Sequence, residues 1–179
     1  FQSKWAILGG LAIFLYVGAE VAIGTQMAFF LNSDSIWGHS DAIFGLPFTG
    51  RFSDGVPGVS LQEAAALTAL YWGGAMVGRL IGSALLAKVN AALLLATFTG
   101  AAAAMCFYVF AVGGVGAGFV AIAIGLFNSI MFPVIFTLTL ERSTASSEAT
   151  SGFLCTSIIG GAFVPLLAGF VSGHSSYIT

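Results

Sequence analysis

The feature that most constrains this chain is a series of apolar runs too long for any soluble fold. A hydrocarbon core about 30 Å thick needs about 20 apolar residues wound as a helix. Five stretches meet that length: roughly 5–31 (broken by Glu20 and Gln26), 61–86, 91–112, 118–140 and 152–171. The strict alternation of a membrane barrel is missing, so helices are the way left to satisfy backbone N–H and C=O groups in lipid. The expected fold is all-α, a polytopic transmembrane helix bundle of about five spans. Only 7% of the residues are charged and 58% are hydrophobic, where a soluble domain carries about 25% charge. A net charge of −2 with five basic residues leaves no basic face for phosphates, which excludes nucleic-acid binding.

The connections differ in kind. Residues 32–59 make a polar loop with Asp34, Asp41, Asp54, Pro47 and Pro57, for which the residues suggest no function. Lys88-Val89-Asn90 and Gly113-Gly114-Val115-Gly116 are tight turns, and 141–151 is a Ser/Thr-rich loop. Ser60-Leu61-Gln62-Glu63 is a capping box: serine and glutamate satisfy free N–H groups at the start of span two. Lys4, Arg79, Lys88 and Arg142 fall on one side by connectivity and Arg51 on the other. The excess of basic residues on cytoplasmic loops puts Lys4 in the cytoplasm and the 32–59 loop outside. A start at Phe1 and an end soon after a span read as a piece of a longer protein. Cys106 and Cys155 lie in apolar stretches, without metal-ligand spacing, and read as buried thiols.

The 24 glycines are about twice the usual share. In span two Gly74, Gly78 and Gly82 recur every four residues on one face, the tandem small-xxx-small pattern that lets helix backbones approach. Ser157, Gly161, Pro165 and Gly169 make a comparable line in span five. Such faces serve static packing or let helices slide, and composition does not separate the two. Pro133 and Pro165 each remove a backbone bond within a span, so kinks are expected there.

Polar residues inside spans are the candidate site. Glu20 near the middle of span one costs roughly 2.5–3.5 kcal/mol on insertion scales. It must face the bundle interior, as a substrate or proton site or as a structural acid joining two helices. Gly24 and Met27 share its face, and Gln26 is a second interior polar candidate. Asn128, mid-span in span four, suits a sugar hydroxyl or an interhelical bond. Tyr71 and Trp72 could stack on a sugar face or fill the core. Arg79 at the end of span two and Glu141-Arg142 at the end of span four are candidates for a gating latch or are solvated helix ends. Catalysis finds little support. His39 and His174 fall in outside loops, no Asp lies in a span, and no metal-ligand set or phosphate-binding loop is present.

Several stretches have a familiar form. Gly18-Ala19-Glu20-Val21-Ala22-Ile23-Gly24 resembles the seventh helix of the fucose/glucose/galactose permeases, sugar:proton symporters of the major facilitator superfamily. Gly125-Leu126-Phe127-Asn128-Ser129-Ile130-Met131-Phe132-Pro133 is similar to their tenth helix. The stretch from Thr150-Ser151-Gly152 through Ile159-Gly160-Gly161-Ala162 to Val164-Pro165 is similar to the eleventh, and Gly78-Arg79-Leu80-Ile81-Gly82 to the end of the eighth. The resemblance implies helices seven to eleven of twelve, with the twelfth and the whole first half absent. It implies a monosaccharide substrate, a proton as coupling ion with no other cofactor, and a bacterial inner membrane. The superfamily's loop signature is degenerate here: Arg79 and Lys88 stand without the usual acidic residue and basic cluster. The rival reading is a drug or organic-cation antiporter, with Glu20 attracting the cation.

Overall fold

A computed structural model describes residues 3–33, 35–38 and 59–174. Among these residues seven helices follow in order: α1 Lys4–Leu31, α2 Leu61–Leu86, α3 Ala91–Val112, α4 Gly114–Asn128, α5 Met131–Arg142, α6 Ser147–Ser157 and α7 Gly160–His174. They make five candidate membrane spans, because α4 with α5 and α6 with α7 each form one interrupted span (Gly114–Arg142 and Ser147–His174). The chain is a multi-pass membrane protein. Most of the 32–59 loop, with His39 and Arg51, lies outside the described residues.

Local chemistry accounts for the ends. Ser60 Oγ accepts from the Glu63 N–H at 3.3 Å and Glu63 Oε2 accepts from the Ser60 N–H at 3.4 Å, the capping box of α2. Asn90 Oδ1 caps α3 through the N–H groups of Ala92 and Leu93. Gly113 and Gly114 turn the chain between α3 and α4 with φ of 64° and 75°, where a side chain is strained.

The two interruptions have different causes. In span four the break falls at Ser129-Ile130, and Pro133 explains it. Without an N–H, Pro133 cannot bond the carbonyl four residues back, which is that of Ser129. In span five the break falls at Ile158-Ile159 and not at Pro165, which lies inside α7. There the backbone tightens, with Gly161 N–H donating to Ile158 O and Ala162 N–H to Ile159 O, both at 2.9 Å. This spacing of three residues lets Gly160 meet α1 directly: a Cβ there would overlap the carbonyl of Phe14.

Helix α1 is the hub and contacts α2, α4, α5, α6 and α7. Side-chain bonds tie the two ends of the bundle. At one end Ser143 Oγ and the Thr144 N–H donate to Ser3 Oγ at 3.3 and 3.2 Å, and the Arg142 guanidinium lies 4.9 Å from the Trp5 ring centroid. At the other, Asn32 Nδ2 donates to Val59 O at 2.6 Å, Trp37 Nε1 to Val115 O at 3.0 Å, and the Gly114 N–H to Ser35 O at 2.9 Å. Two expectations are corrected. Cys106 and Cys155 are exposed on outer helix faces, because in a membrane protein an apolar neighbourhood in sequence does not imply the interior. His174 ends α7 with its ring 4.4 Å from that of Phe170 and is not in a loop.

Candidate polar site between three helices

Burial selects a small set of polar side chains where α1, α2 and α4 meet. Tyr16 and Glu20 are both 8% exposed, Asn128 is 6% exposed and Tyr71 is fully enclosed. Tyr16 and Glu20 are four residues apart on α1 and so lie on one face. Asn128 ends α4 at the break in span four, which keeps its carbonyl available, and Tyr16 OH donates to it at 2.7 Å. Asn128 Nδ2 donates to Tyr71 OH at 3.2 Å, and Tyr71 OH donates to the backbone carbonyl of Glu20 at 3.3 Å. The chain of bonds thus runs Tyr16, Asn128, Tyr71, Glu20 and closes three helices around one point. Glu20 Oε1 is the exception: among the described residues it is the buried side-chain polar atom with no hydrogen-bond partner. A buried oxygen without a donor costs free energy that a fully bonded network does not. Within this network it is the acceptor left without a donor.

Small residues bring the backbones close enough for this network. A Cβ on Gly125 would overlap Tyr71 O, and one on Gly78 would overlap Leu126 O. Gly82 lies against the Ile130 side chain, and a Cβ on Gly74 would stand 3.5 Å from the Leu126 backbone nitrogen. The Gly74-Gly78-Gly82 stripe is thus the contact of α2 with span four. Gly161 faces Val17 and Val21 of α1, and Pro165 is half-buried in α7.

The remaining sequence candidates lie apart. Trp72 is 45% exposed, stacked edge-on to Tyr71 with centroids 5.2 Å apart, and its indole covers Gly24. Gln26 turns to α7, where its Nε2 would lie 3.6 Å from a Cβ on Gly169. Arg79 is seven residues inside the end of α2 and exposed; it does not end the span. Glu141 and Arg142 do end α5, at the Ser3–Ser143 end of the bundle. No ion pair joins Arg79 to Glu141, and about 18 Å of helix rise separates their depths. A cavity of about 280 Å³ opens between α1, α3 and α5 beside Trp5, Gly9, Leu95, Thr139 and Arg142, away from Glu20. No group of three metal-ligating side chains occurs among the described residues. Sequence reasoning missed Tyr16, although a tyrosine one turn before a mid-span acid was the available signal.

Comparison with known proteins gives the chain its relatives. No family model matches it. It is 39% identical over 169 residues to a glucose/galactose transporter of Brucella abortus, covering 94% of this chain and 36% of the relative. It is 36% identical over 177 residues to a putative glucose/galactose transporter of Helicobacter pylori, covering 96% and 37%. With the L-fucose-proton symporter of Escherichia coli it shares 28% over 180 residues, covering 98% and 34%. The solved structure of a major facilitator superfamily transporter, FucP, in the outward conformation matches with a TM-score of 0.80 at 24% identity, over 98% of this chain and 37% of that one. The chain spans just over a third of the length of these curated relatives. They are named as transporters and a symporter, not as enzymes.

Proposed function

From the premise that this chain has the major facilitator fold and bacterial glucose/galactose transporters as homologues, we propose that it forms helices seven to eleven of a twelve-helix sugar carrier. Folds of this class pair two six-helix halves around a central site that rocking exposes to each side in turn. The chain would supply one wall of that site, and the complete protein would carry a monosaccharide (fucose, glucose or galactose) together with a proton. The membrane would be the bacterial inner membrane, with the Lys4 end cytoplasmic.

The observation that carries this reading is the 39% identity to a glucose/galactose transporter along 94% of the chain. The polar site agrees with it in chemistry. A monosaccharide needs acceptors and donors for its hydroxyls in a water-excluding setting and an apolar face for its ring. Glu20 Oε1 is an unused acceptor, Asn128 supplies an amide, and Trp72 presents a half-exposed ring nearby.

The test is uptake of labelled fucose, glucose and galactose by the complete transporter in proteoliposomes, with and without an inward proton gradient. Accumulation of one sugar only with the gradient is expected. Glu20→Gln should then lower uptake about tenfold or more, the scale of losing a hydrogen bond between a charged group and substrate. Equilibration without accumulation would replace symport by facilitated diffusion. Absence of sugar uptake, with competition by organic cations, would overturn the sugar reading in favour of drug antiport.

A further inference from the structure

Among the described residues, Glu20 and Arg79 are the charged side chains that lie more than a turn inside a helix. Lys4, Glu63, Lys88, Glu141, Arg142 and Glu148 all sit at helix ends or turns, where water and headgroups receive them. The two interior charges are opposite in sign and stand on neighbouring antiparallel helices, α1 and α2. An ionisable group at that depth is costly and needs a partner.

Their depths can be read from the packing. The Trp72 indole lies on Gly24, with Cε2 3.1 Å from a Cβ built there, so these two residues share a level. Counting one turn from it in opposite directions along the two helices puts Glu20 level with Met76. Arg79 lies three residues beyond Met76, about 4.5 Å of rise. Long side chains on a helix lean back toward its N-terminus, and on the antiparallel α1 that lean carries the Glu20 carboxyl toward the level of Arg79. The faces match as well. Glu20 and Gly24 lie on one stripe of α1, and Trp72, Met76 and Arg79 on one stripe of α2, at spacings of four and seven. Trp72 already joins the two stripes. Arg79 also lies within electrostatic reach of Glu20 and Tyr16, although no ion pair closes in this structure.

We propose that Arg79 is the intramembrane charge partner of Glu20 and positions its carboxyl at the substrate site when the two side chains close on each other. Arg79 is then a positioning residue inside the site and not a latch at the cytoplasmic face. On the same stripe of α2, Trp72 is 45% exposed and Met76 66% exposed. This rests on the transport reading above, and the test separates the two.

The test has two arms, both on the complete transporter. In the first, Cys106 and Cys155 are replaced by serine, and Glu20→Cys with Arg79→Cys is treated in membranes with bifunctional thiol reagents of short and long span. Cross-linking by the short reagent is expected, and Arg79→Cys with Glu141→Cys should give none. This arm reads proximity and needs no transport. In the second, uptake is measured for Glu20→Gln, Arg79→Gln and the double variant. Each single change is expected to lower the maximal rate about tenfold. The double variant should lose no more than about twofold beyond the worse single, because one interaction is removed either way. Independent losses that multiply to about a hundredfold, or cross-linking to Glu141 in preference to Glu20, would overturn the pairing. A cross-link between positions 20 and 79 in a protein that moves no sugar would keep the pair and overturn the transport reading.

Discussion

Helices α1 and α3 are nearly alike in sequence terms and unlike in structure. Their spans have mean hydropathies of 2.1 and 1.9, and neither carries an acid or base in its first or last turn except Lys4. Yet half of the α1 span is buried within the chain and 11% of the α3 span. The atoms responsible are small ones and polar ones. A Cβ on Gly9 would overlap Thr139, on Gly10 Phe153, on Gly18 Val164 and on Gly24 Trp72, whereas a Cβ on Gly100 of α3 would meet nothing within 4 Å. Tyr16 and Glu20 of α1 join the buried network, while Tyr108 of α3 is 42% exposed. Lipid tails are as apolar as leucine, so hydrophobicity alone gives one helix no reason to sit inside another. Close approach and hydrogen bonding decide the matter.

The largest effect that could break this comparison is at the α1–α7 contact. Gly160→Leu would drive a side chain into the Phe14 carbonyl, a backbone atom that cannot rotate away. The expected cost is about 3 kcal/mol or more, the upper end for overpacking. Little folded protein should survive extraction in mild detergent, as read by size-exclusion chromatography. A normal yield and melting temperature for Gly160→Leu would mean that α1 is not held by backbone contact.

Next in size is the hydrogen-bond network. Tyr71→Phe removes the hydroxyl that accepts from Asn128 and donates to the Glu20 carbonyl, with no change in ring volume. Interhelical bonds of this kind contribute about 0.6–2 kcal/mol. Two are lost, so a fall of about 1–3 kcal/mol in resistance to denaturing detergent is expected. Tyr16→Phe removes one bond and should cost about half as much. Tyr108→Phe on α3 should cost nothing measurable. Equal losses at positions 71 and 108 would erase the distinction between the two helices.

Much of this architecture was legible in the sequence, for a physical reason. Bilayer thickness fixes span length, so apolar runs gave five spans, and the Ser60–Glu63 box gave the start of α2 to the residue. Pro133 marked the break in span four because a missing N–H is written in the residue type. The break at Ile158-Ile159 has no such mark; it arises from the fit of Gly160 on α1, which is a tertiary fact. The thiols were misread for a related reason, since apolar surroundings in a membrane segment are shared by lipid-facing and core positions. Glu20 and Asn128 stood out as polar atoms in apolar runs. Their joining through Tyr71, with Tyr16 as fourth member, depends on helix rotation and register, which composition does not encode. The depth of Arg79 was available: the apolar run Leu80–Leu86 continues past it for almost two turns.

The smallest predicted effects lie on α3 and test the other side of the comparison. Phe107 is 71% exposed, and Gly100 faces open space. Phe107→Leu and Gly100→Leu should each change stability by less than about 0.5 kcal/mol, the range of substitutions away from packed features. Leucine favours helix over glycine by just under 1 kcal/mol in water, so a slight gain is the expected sign. A loss above about 1 kcal/mol at either position, in thermal unfolding of the complete protein in lipid nanodiscs, would show that protein and not lipid covers this face. Helix α3 would then be a second packed helix whose partner lies elsewhere in the full molecule, and its low burial would belong to this stretch of chain alone. Stability unchanged at both sites, beside collapse at Gly160, would establish that two helices of matching hydropathy were sorted by glycine contacts and hydroxyls.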